Sequence, residues 1–104
     1  MTTKEILHTI VEFVCLHYAT NPLQLKYASR KQPIAEARQA VWLIASKTLG
    51  KAVKHATLGE LFNRDRTTVV HGIQSAQNRY DTNKDFRRFV DEAVSEVKRL
   101  MKTE

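Results

Sequence analysis

Cysteine, proline and glycine are scarce in this chain of 104 residues, which contains one cysteine, two prolines and three glycines. Cys15 has no partner in the chain for a disulfide, so the fold must be held by a packed core, which a chain of this length can supply. With so few glycines and prolines, few helices would be interrupted, and no linker or low-complexity tract separates a second domain. We therefore expect a single domain over residues 1–104.

Long apolar runs, nucleotide-binding loops and metal-ligand clusters are also missing. The apolar runs are interrupted by His, Arg or Lys and fall far short of the roughly 20 residues that span a bilayer. The residues after Met1 do not form a basic segment followed by an apolar run, which is the pattern of a secretory signal peptide. We therefore expect a cytoplasmic protein. No Gly-rich loop ends in Gly-Lys-Ser/Thr, and the pair His8 and Cys15 suits packing better than a metal or thiol site. We expect no membrane insertion, no nucleotide, metal or other cofactor, and no enzyme activity.

Positive charge is present and unevenly distributed. The formal net charge is +6, and residues 30–66 contain eight basic and three acidic side chains, a net charge of +5. Residues 1–29 are neutral and residues 67–104 have a net charge of +1. Such a local excess suits a surface that faces phosphates. Surplus lysines can also serve solubility alone, so charge by itself leaves a polyanion partner open.

The spacing of apolar residues predicts an all-α fold with five or six helices, because these residues recur every three or four positions and no stretch alternates like a strand. Thr2 and Glu5 have the spacing of a capping box and open a first helix that runs to about Thr20. Asn21-Pro22 suits the start of a short second helix, with a cap followed by proline at the first helical position.

Basic side chains gather at the start of the third predicted helix. A basic loop over residues 28–33 ends at Pro33, which suits the first helical position, and the helix stops at Gly50. Four polar side chains of this loop and of the second helical turn lie close enough to meet one partner: Arg30, Lys31, Arg38 and Gln39. Spacing equally permits Arg38 to pair with Glu36 or to stack on Trp42. A second basic connection, residues 51–55, follows.

A short helix, a three-residue turn and a longer helix follow between residues 57 and 80. Thr57 and Glu60 repeat the capping-box spacing, and Asp65 caps the longer helix from about Arg66 to Tyr80. Its inward face carries Val69, Ile73, Ala76 and Tyr80. Its opposite face carries Thr67, His71, Ser75 and Asn78. This is the pattern of a helix-turn-helix whose second helix reads DNA, with arginines beside a helix start that favours phosphate.

The last predicted helix follows Asp81-Thr82-Asn83 and has the most regular apolar spacing in the chain. Its apolar stripe comprises Phe86, Phe89, Val90, Ala93, Val94, Val97, Leu100 and Met101. Such regularity predicts packing on the core. A surplus apolar edge would instead make this helix the contact for a homodimer or for a partner protein.

The chain resembles a known family, the C-terminal DNA-binding domain (domain IV) of the bacterial replication initiator DnaA. Residues 29–39, 58–62 and 64–71 carry the resemblance, which spans nearly the whole chain. The family pattern combines Ala-X-X-Arg-Gln with Arg-Asp-His-Thr-Thr-Val-hydrophobic-His. The corresponding stretches here read Ala-Glu-Ala-Arg-Gln and Arg-Asp-Arg-Thr-Thr-Val-Val-His.

The resemblance implies a Trp-repressor-like helix-turn-helix that binds double-stranded DNA at short A·T-containing, DnaA-box-like sites. The process would be replication initiation or its regulation, at the nucleoid and without ATPase activity. The alternative is a protein-interaction adaptor or a regulator of replication or transcription that uses its basic face or last helix, the last helix then contacting a second copy or a replication protein. The DNA-binding candidates are Arg30, Lys31, Arg38, Gln39, Arg64, Asp65, Arg66, Thr67, Thr68 and His71.

Two of these candidates have specific expectations. Arg30 matches the family's loop arginine that enters the minor groove, where the negative potential of a narrow groove attracts arginine. Arg66 stands where the family usually has histidine. Arginine puts a permanently charged, bidentate guanidinium group at that position, which would shift the binding preference toward guanine or toward phosphate.

Overall fold

Six α-helices and one short 3-10 helix follow one another in the computed structural model, which describes residues 1–27 and 32–102. The elements are α1 (Thr3–Tyr18), α2 (Pro22–Tyr27), α3 (Gln32–Leu49), the 3-10 helix (Gly50–Ala52), α4 (His55–Glu60), α5 (Arg66–Thr82) and α6 (Lys84–Lys102). The described ranges contain no strand. The prediction of an all-α fold is confirmed.

The first two helices begin where their caps predict. The N–H of Glu5 donates to Thr2 Oγ1 over 3.2 Å and the N–H of Thr2 donates to Glu5 Oε1 over 3.1 Å, which completes the capping box. The N–H of Gln24 donates to Asn21 Oδ1 over 3.0 Å at the start of α2. The first helix ends at Tyr18, two residues earlier than expected, because Ala19 turns the chain in the left-handed region with φ 53°.

The third helix holds both helices of the helix-turn-helix. Trp42 in α3 is 2 % exposed, and its Nε1–H donates to the carbonyl oxygen of Leu58 in α4 over 3.0 Å. A Cβ atom on Gly72 in α5 would lie 2.6 Å from carbons of the Trp42 ring. Glycine at this position therefore lets α5 approach α3 closely, and Trp42 fixes α4 and α5 against one support.

The short helix α4 corrects two sequence-based expectations. It begins at His55, with Lys54 at the cap position and no side-chain cap, so Thr57 lies inside the helix and the predicted capping box at Thr57 is wrong. The preceding connection is shorter than residues 51–55, because a 3-10 helix opens at Gly50, whose φ of 53° glycine adopts without strain.

The turn between α4 and α5 contains the five residues 61–65 rather than three. Phe62 is buried in the core, which requires extra chain to bring its ring inward, and Asn63 then takes a left-handed φ of 55°. The N–H of Arg64 donates to the carbonyl oxygen of Gly59 over 2.9 Å. A Cβ atom on Gly59 would lie 2.2 Å from the Arg64 carbonyl oxygen, so only glycine fits under this turn.

The last helix packs its apolar face on the core, as expected. The expected break at residues 81–83 is reduced to Asn83, since α5 continues to Thr82, and the Asn83 side chain caps α6 by accepting from the N–H of Phe86 over 2.9 Å. The residues buried along α6 are Phe86, Val90, Ala93 and Val97. The rest of the predicted stripe is half-buried.

The sequence predicts no membrane insertion and no metal site. Within residues 1–27 and 32–102, no helix has the length and apolar composition to cross a bilayer, and no three His, Cys, Asp or Glu side chains come together as a metal site. Cys15 is buried, which raises the pKa of its thiol, and His8 Nε2 lies 2.7 Å from Glu12 Oε1.

Candidate nucleic-acid interface

The start of α5 is capped by an aspartate, as the sequence predicts. Asp65 is in an extended conformation, and its Oδ1 accepts the N–H of Thr68 over 2.8 Å. This hydrogen bond is the main reason that the pKa of Asp65 lies below its ordinary value. The carboxylate thus holds the first turn of the helix, where backbone N–H groups remain available to an anion.

The outer face of α5 carries the predicted reading residues. Thr67, Thr68 and His71 are exposed, whereas Val69 is fully buried and anchors the helix to the core. Val70 is 41 % exposed and was not among the predicted site residues. Successive residues are rotated by about 100° around a helix, so two consecutive valines cannot both face inward. An exposed valine here suits apolar contact with a thymine methyl group.

A concavity on one side of α5 brings half of the predicted site residues together. It has a volume of about 180 Å³ and is formed by α3, the turn and α5. We call it the α3-side groove. The predicted site residues that line it are Arg38, Gln39, Arg64, Thr68 and His71. Ser75, exposed one turn beyond His71, also lines the groove and was absent from the predicted site.

Arg38 is the least exposed of these residues. It is 7 % exposed, and its Nη1 donates to the carbonyl oxygen of Leu25 over 3.1 Å, which ties α3 to α2. Burial, and then the neighbouring charge of Arg64, lower the pKa of Arg38, but a guanidinium remains protonated. The spacing in the sequence permits Glu36 and Trp42 as intramolecular partners of Arg38, and the Leu25 carbonyl is a partner that the spacing does not indicate. Contact between Arg38 and DNA stays a prediction.

Gln39 is braced by a polar network that crosses four helices. Arg79 in α5 donates through Nη1 to Gln39 Oε1 over 3.3 Å, and its Nε lies 3.5 Å from Glu36 Oε1. The hydroxyl of Tyr18 donates to Glu36 Oε2 over 3.4 Å, and burial together with this carboxylate raises the pKa of Tyr18 to about 12. Arg79 also lies 5.2 Å from the ring centre of Phe86 in α6. The α3 wall of the groove is therefore fixed before any ligand arrives.

Arg64 stabilises the turn between α4 and α5 and also lines the α3-side groove. Its Nη1 donates to the carbonyl oxygen of Phe62 over 2.7 Å, so the guanidinium closes the connection between α4 and α5. The side chain is half-buried and lines the α3-side groove beside Arg38. Two positive groups thus share one wall of this groove, where the backbone of a polyanion would be attracted.

A second concavity, about 500 Å³ in volume, lies where α5 begins against the 3-10 helix and the start of α4. Its ionisable lining residues are Lys51, Lys54, His55 and Arg66, and none of the acidic side chains in the described part of the chain lines it. We call it the basic cradle. Arg66 therefore lines a different concavity from the predicted site residues of the α3-side groove. Lys51, Lys54 and His55 were absent from the predicted site, although the net charge of residues 30–66 pointed to this region.

Two more predicted site residues, Asp65 and Thr67, line neither concavity. Asp65 and Thr67 are exposed at the first turn of α5, between the two flanks of the helix. Arg30 and Lys31 lie outside the described residues, so their contacts with the minor groove and with phosphate remain predictions from the sequence.

A short helix, a turn and a longer helix with an exposed polar face define this molecule as a DNA-binding protein of the helix-turn-helix class. Residues 7–75 match the family described as the bacterial dnaA protein helix-turn-helix. The chain belongs to this family, and the resemblance inferred from the sequence is confirmed.

Several curated relatives are named chromosomal replication initiator protein DnaA. The protein of Porphyromonas gingivalis is 37 % identical over 71 residues, which is 67 % of this chain and 15 % of that protein. The protein of Chlorobaculum tepidum is 28 % identical over 92 residues, covering 86 % of this chain and 18 % of its own length. The protein of Desulfatibacillum aliphaticivorans is 28 % identical over 81 residues, covering 78 % of this chain and 17 % of that protein. The chain thus spans less than a fifth of these relatives.

Proposed function

We propose that this chain binds double-stranded DNA with a preference for DnaA-box-like sites, in replication initiation or its regulation, without ATPase activity of its own. Residues 1–104 would act as one domain at the nucleoid, with a reading unit at about 57–80 and a basic loop at 28–33. The observation that carries this proposal is the α3-side groove, in which the two elements of the family pattern, Arg38-Gln39 and Thr68 with His71, line one surface.

In this proposal α5 enters the major groove with its exposed face toward the base edges. Thr67 and Thr68 offer hydroxyls to phosphate and methyl groups to thymine, and His71 offers a ring nitrogen to a base edge. Arg38, Gln39 and Arg64 would meet the adjacent backbone, where charge-assisted hydrogen bonds fix the register of the protein. Arg30 would enter the neighbouring minor groove.

Salt dependence follows from these contacts. A surface that neutralises roughly four to six phosphates releases about 0.9 condensed counterion for each, so log K should fall against log salt with a slope of about −4 to −5. Binding measured by fluorescence anisotropy between 50 and 200 mM salt would give this slope for a box-containing duplex and for a random duplex.

The variant Thr68→Ala tests the reading face directly. It should weaken binding to a DnaA-box-like duplex by an amount typical of a lost base or phosphate contact, about 1–3 kcal/mol. The matched control is Thr82→Ala, an exposed threonine on the last turn of the same helix, which should bind as the wild type does. Equal affinity for both variants, at matched stability, would reject the assigned face.

The adaptor alternative makes the opposite prediction in the same assay. A protein that uses its basic face for an acidic protein partner, or the last helix for a partner or a homodimer, would bind no duplex at low salt. The buried apolar stripe of α6 would leave mainly its polar face for such a contact.

A further inference from the structure

The basic cradle has the composition of an anion site. Lys51, Lys54 and His55 approach it from the 3-10 helix and the start of α4, and Arg66 approaches it from the first turn of α5. All four side chains are exposed. Among residues 1–27 and 32–102, none of the four has a side-chain hydrogen bond, an ion pair or a ring contact. The positive charge of Lys51, Lys54 and Arg66 is therefore not neutralised by an ion pair with another described residue.

The cradle and the α3-side groove lie on opposite flanks of α5. Arg66 and Thr68 are two residues apart, a rotation of about 200° around an α-helix, and each lines a different one of the two concavities. A helix in the major groove, which is about 12 Å wide, has a phosphate backbone on each side. The two flanks of α5 would therefore face the two backbones.

We propose that the basic cradle binds backbone phosphates of duplex DNA on the wall of the major groove opposite the one that meets the α3-side groove. Arg66 then contacts phosphate together with Lys51 and Lys54, and it does not read a base. This inference rests on the proposed duplex binding and deepens it. It decides between guanine and phosphate as the partner of Arg66, because Arg66 shares the cradle with two lysines and none of the described carboxylates lines it, a composition that favours phosphate.

The inference has a distinctive thermodynamic signature. Each lysine that contacts phosphate contributes about one unit to the salt slope and contributes equally on every sequence, since phosphates are common to all DNA. Removing Lys51 and Lys54 together should lower the magnitude of the slope by about 2. A slope change of that size makes the loss of affinity about 16-fold larger at 50 mM salt than at 200 mM salt.

The experiment compares the double variant Lys51→Ala, Lys54→Ala with a charge-matched control, Lys84→Ala, Lys98→Ala, whose lysines are exposed on α6. Anisotropy titrations use a DnaA-box-like duplex and a random duplex at several salt concentrations. The cradle variant should lose the same factor on both duplexes and lower the slope by about 2, while the control should retain the wild-type slope. A cradle variant that matches the control would overturn the inference.

Arg66 is tested by selecting bound duplexes from a random pool with wild type and Arg66→His. The same enriched sequence for both, with weaker binding and a smaller slope for the variant, supports a phosphate contact. A changed sequence preference overturns it. If the wild type binds no duplex, the proposed function fails and the cradle fails with it. If the wild type binds a preferred sequence while the cradle variant keeps its slope, only the cradle inference fails.

Discussion

The two flanks of α5 carry the same sign of charge in two different ways. On the α3 side, Arg38 is 7 % exposed and bonded to a backbone carbonyl, and Gln39 is held by Arg79. In the basic cradle, Lys51, Lys54 and Arg66 are exposed and have no side-chain partner among the described residues. The first flank offers donors held in fixed positions, and the second offers exposed charge that no side chain of the described residues holds. Fixed donors set the register of the protein on DNA, and exposed charge raises affinity for any phosphate backbone.

The largest effect should come from removing the support of the fixed flank. Trp42→Ala deletes a buried ring that touches both helices of the helix-turn-helix, and a change of this kind typically costs about 3–5 kcal/mol of unfolding free energy. Lys54→Ala on the exposed flank should change stability by less than about 0.5 kcal/mol. Urea unfolding followed by circular dichroism measures both. Similar stabilities for the two variants would remove the contrast between the flanks.

An intermediate effect should separate the two arginines. Arg38→Ala removes a nearly buried side chain and leaves the carbonyl oxygen of Leu25 without its donor, which should cost about 1–3 kcal/mol of unfolding free energy. Arg66→Ala should leave stability within about 0.5 kcal/mol of wild type. Both variants should weaken duplex binding. Thermal and urea unfolding would measure the stability of both variants, and anisotropy would measure their duplex binding. Only Arg38→Ala should lower both. Equal losses of stability in Arg38→Ala and Arg66→Ala would contradict this prediction.

The smallest effect concerns the cap between the flanks. The pKa of Asp65 is lowered in the folded protein, so its carboxylate stabilises the fold above the unfolded value of about 4, and this contribution is lost as the pH falls through the folded value. Asp65→Asn keeps a capping oxygen but cannot titrate, and its stability should therefore depend less on pH in this acidic range.

Thermal unfolding from pH 6 to pH 2 measures this dependence. The control Glu92→Gln removes an exposed carboxylate that has no side-chain partner in the described part of the chain, and it should keep the wild-type pH dependence. Parallel loss of stability in wild type and Asp65→Asn would show that the cap does not titrate as its hydrogen bond to Thr68 implies.

Local signals in the sequence were sufficient for the helices and for the cap of α5. Apolar spacing predicts α1, α3, α5 and α6, and the inward position of Val69 follows from the same spacing. Asp65 was predictable because capping depends on the aspartate and on a backbone N–H three residues later. These features depend on contacts within a few residues.

Features without a local signal, and features that depend on distant contacts, were not predictable from the sequence. The helix α4 begins at His55 without a side-chain cap, so no residue pattern marks its start. The burial of Phe62 in the core makes the turn longer than its polar residues indicate. The bond from Arg38 to the Leu25 carbonyl crosses between helices that local spacing cannot orient. The cradle likewise arises only when Arg66 folds back beside Lys51 and Lys54.

Unbiased selection of bound duplexes from a random pool tests the central claim most directly, because it presupposes no site. The account predicts enrichment of a short A·T-containing, DnaA-box-like sequence by the wild-type chain, and loss of that enrichment in Thr68→Ala but not in Thr82→Ala. A pool that remains random after repeated rounds, with wild type folded and at low salt, would contradict sequence-preferring binding through α5.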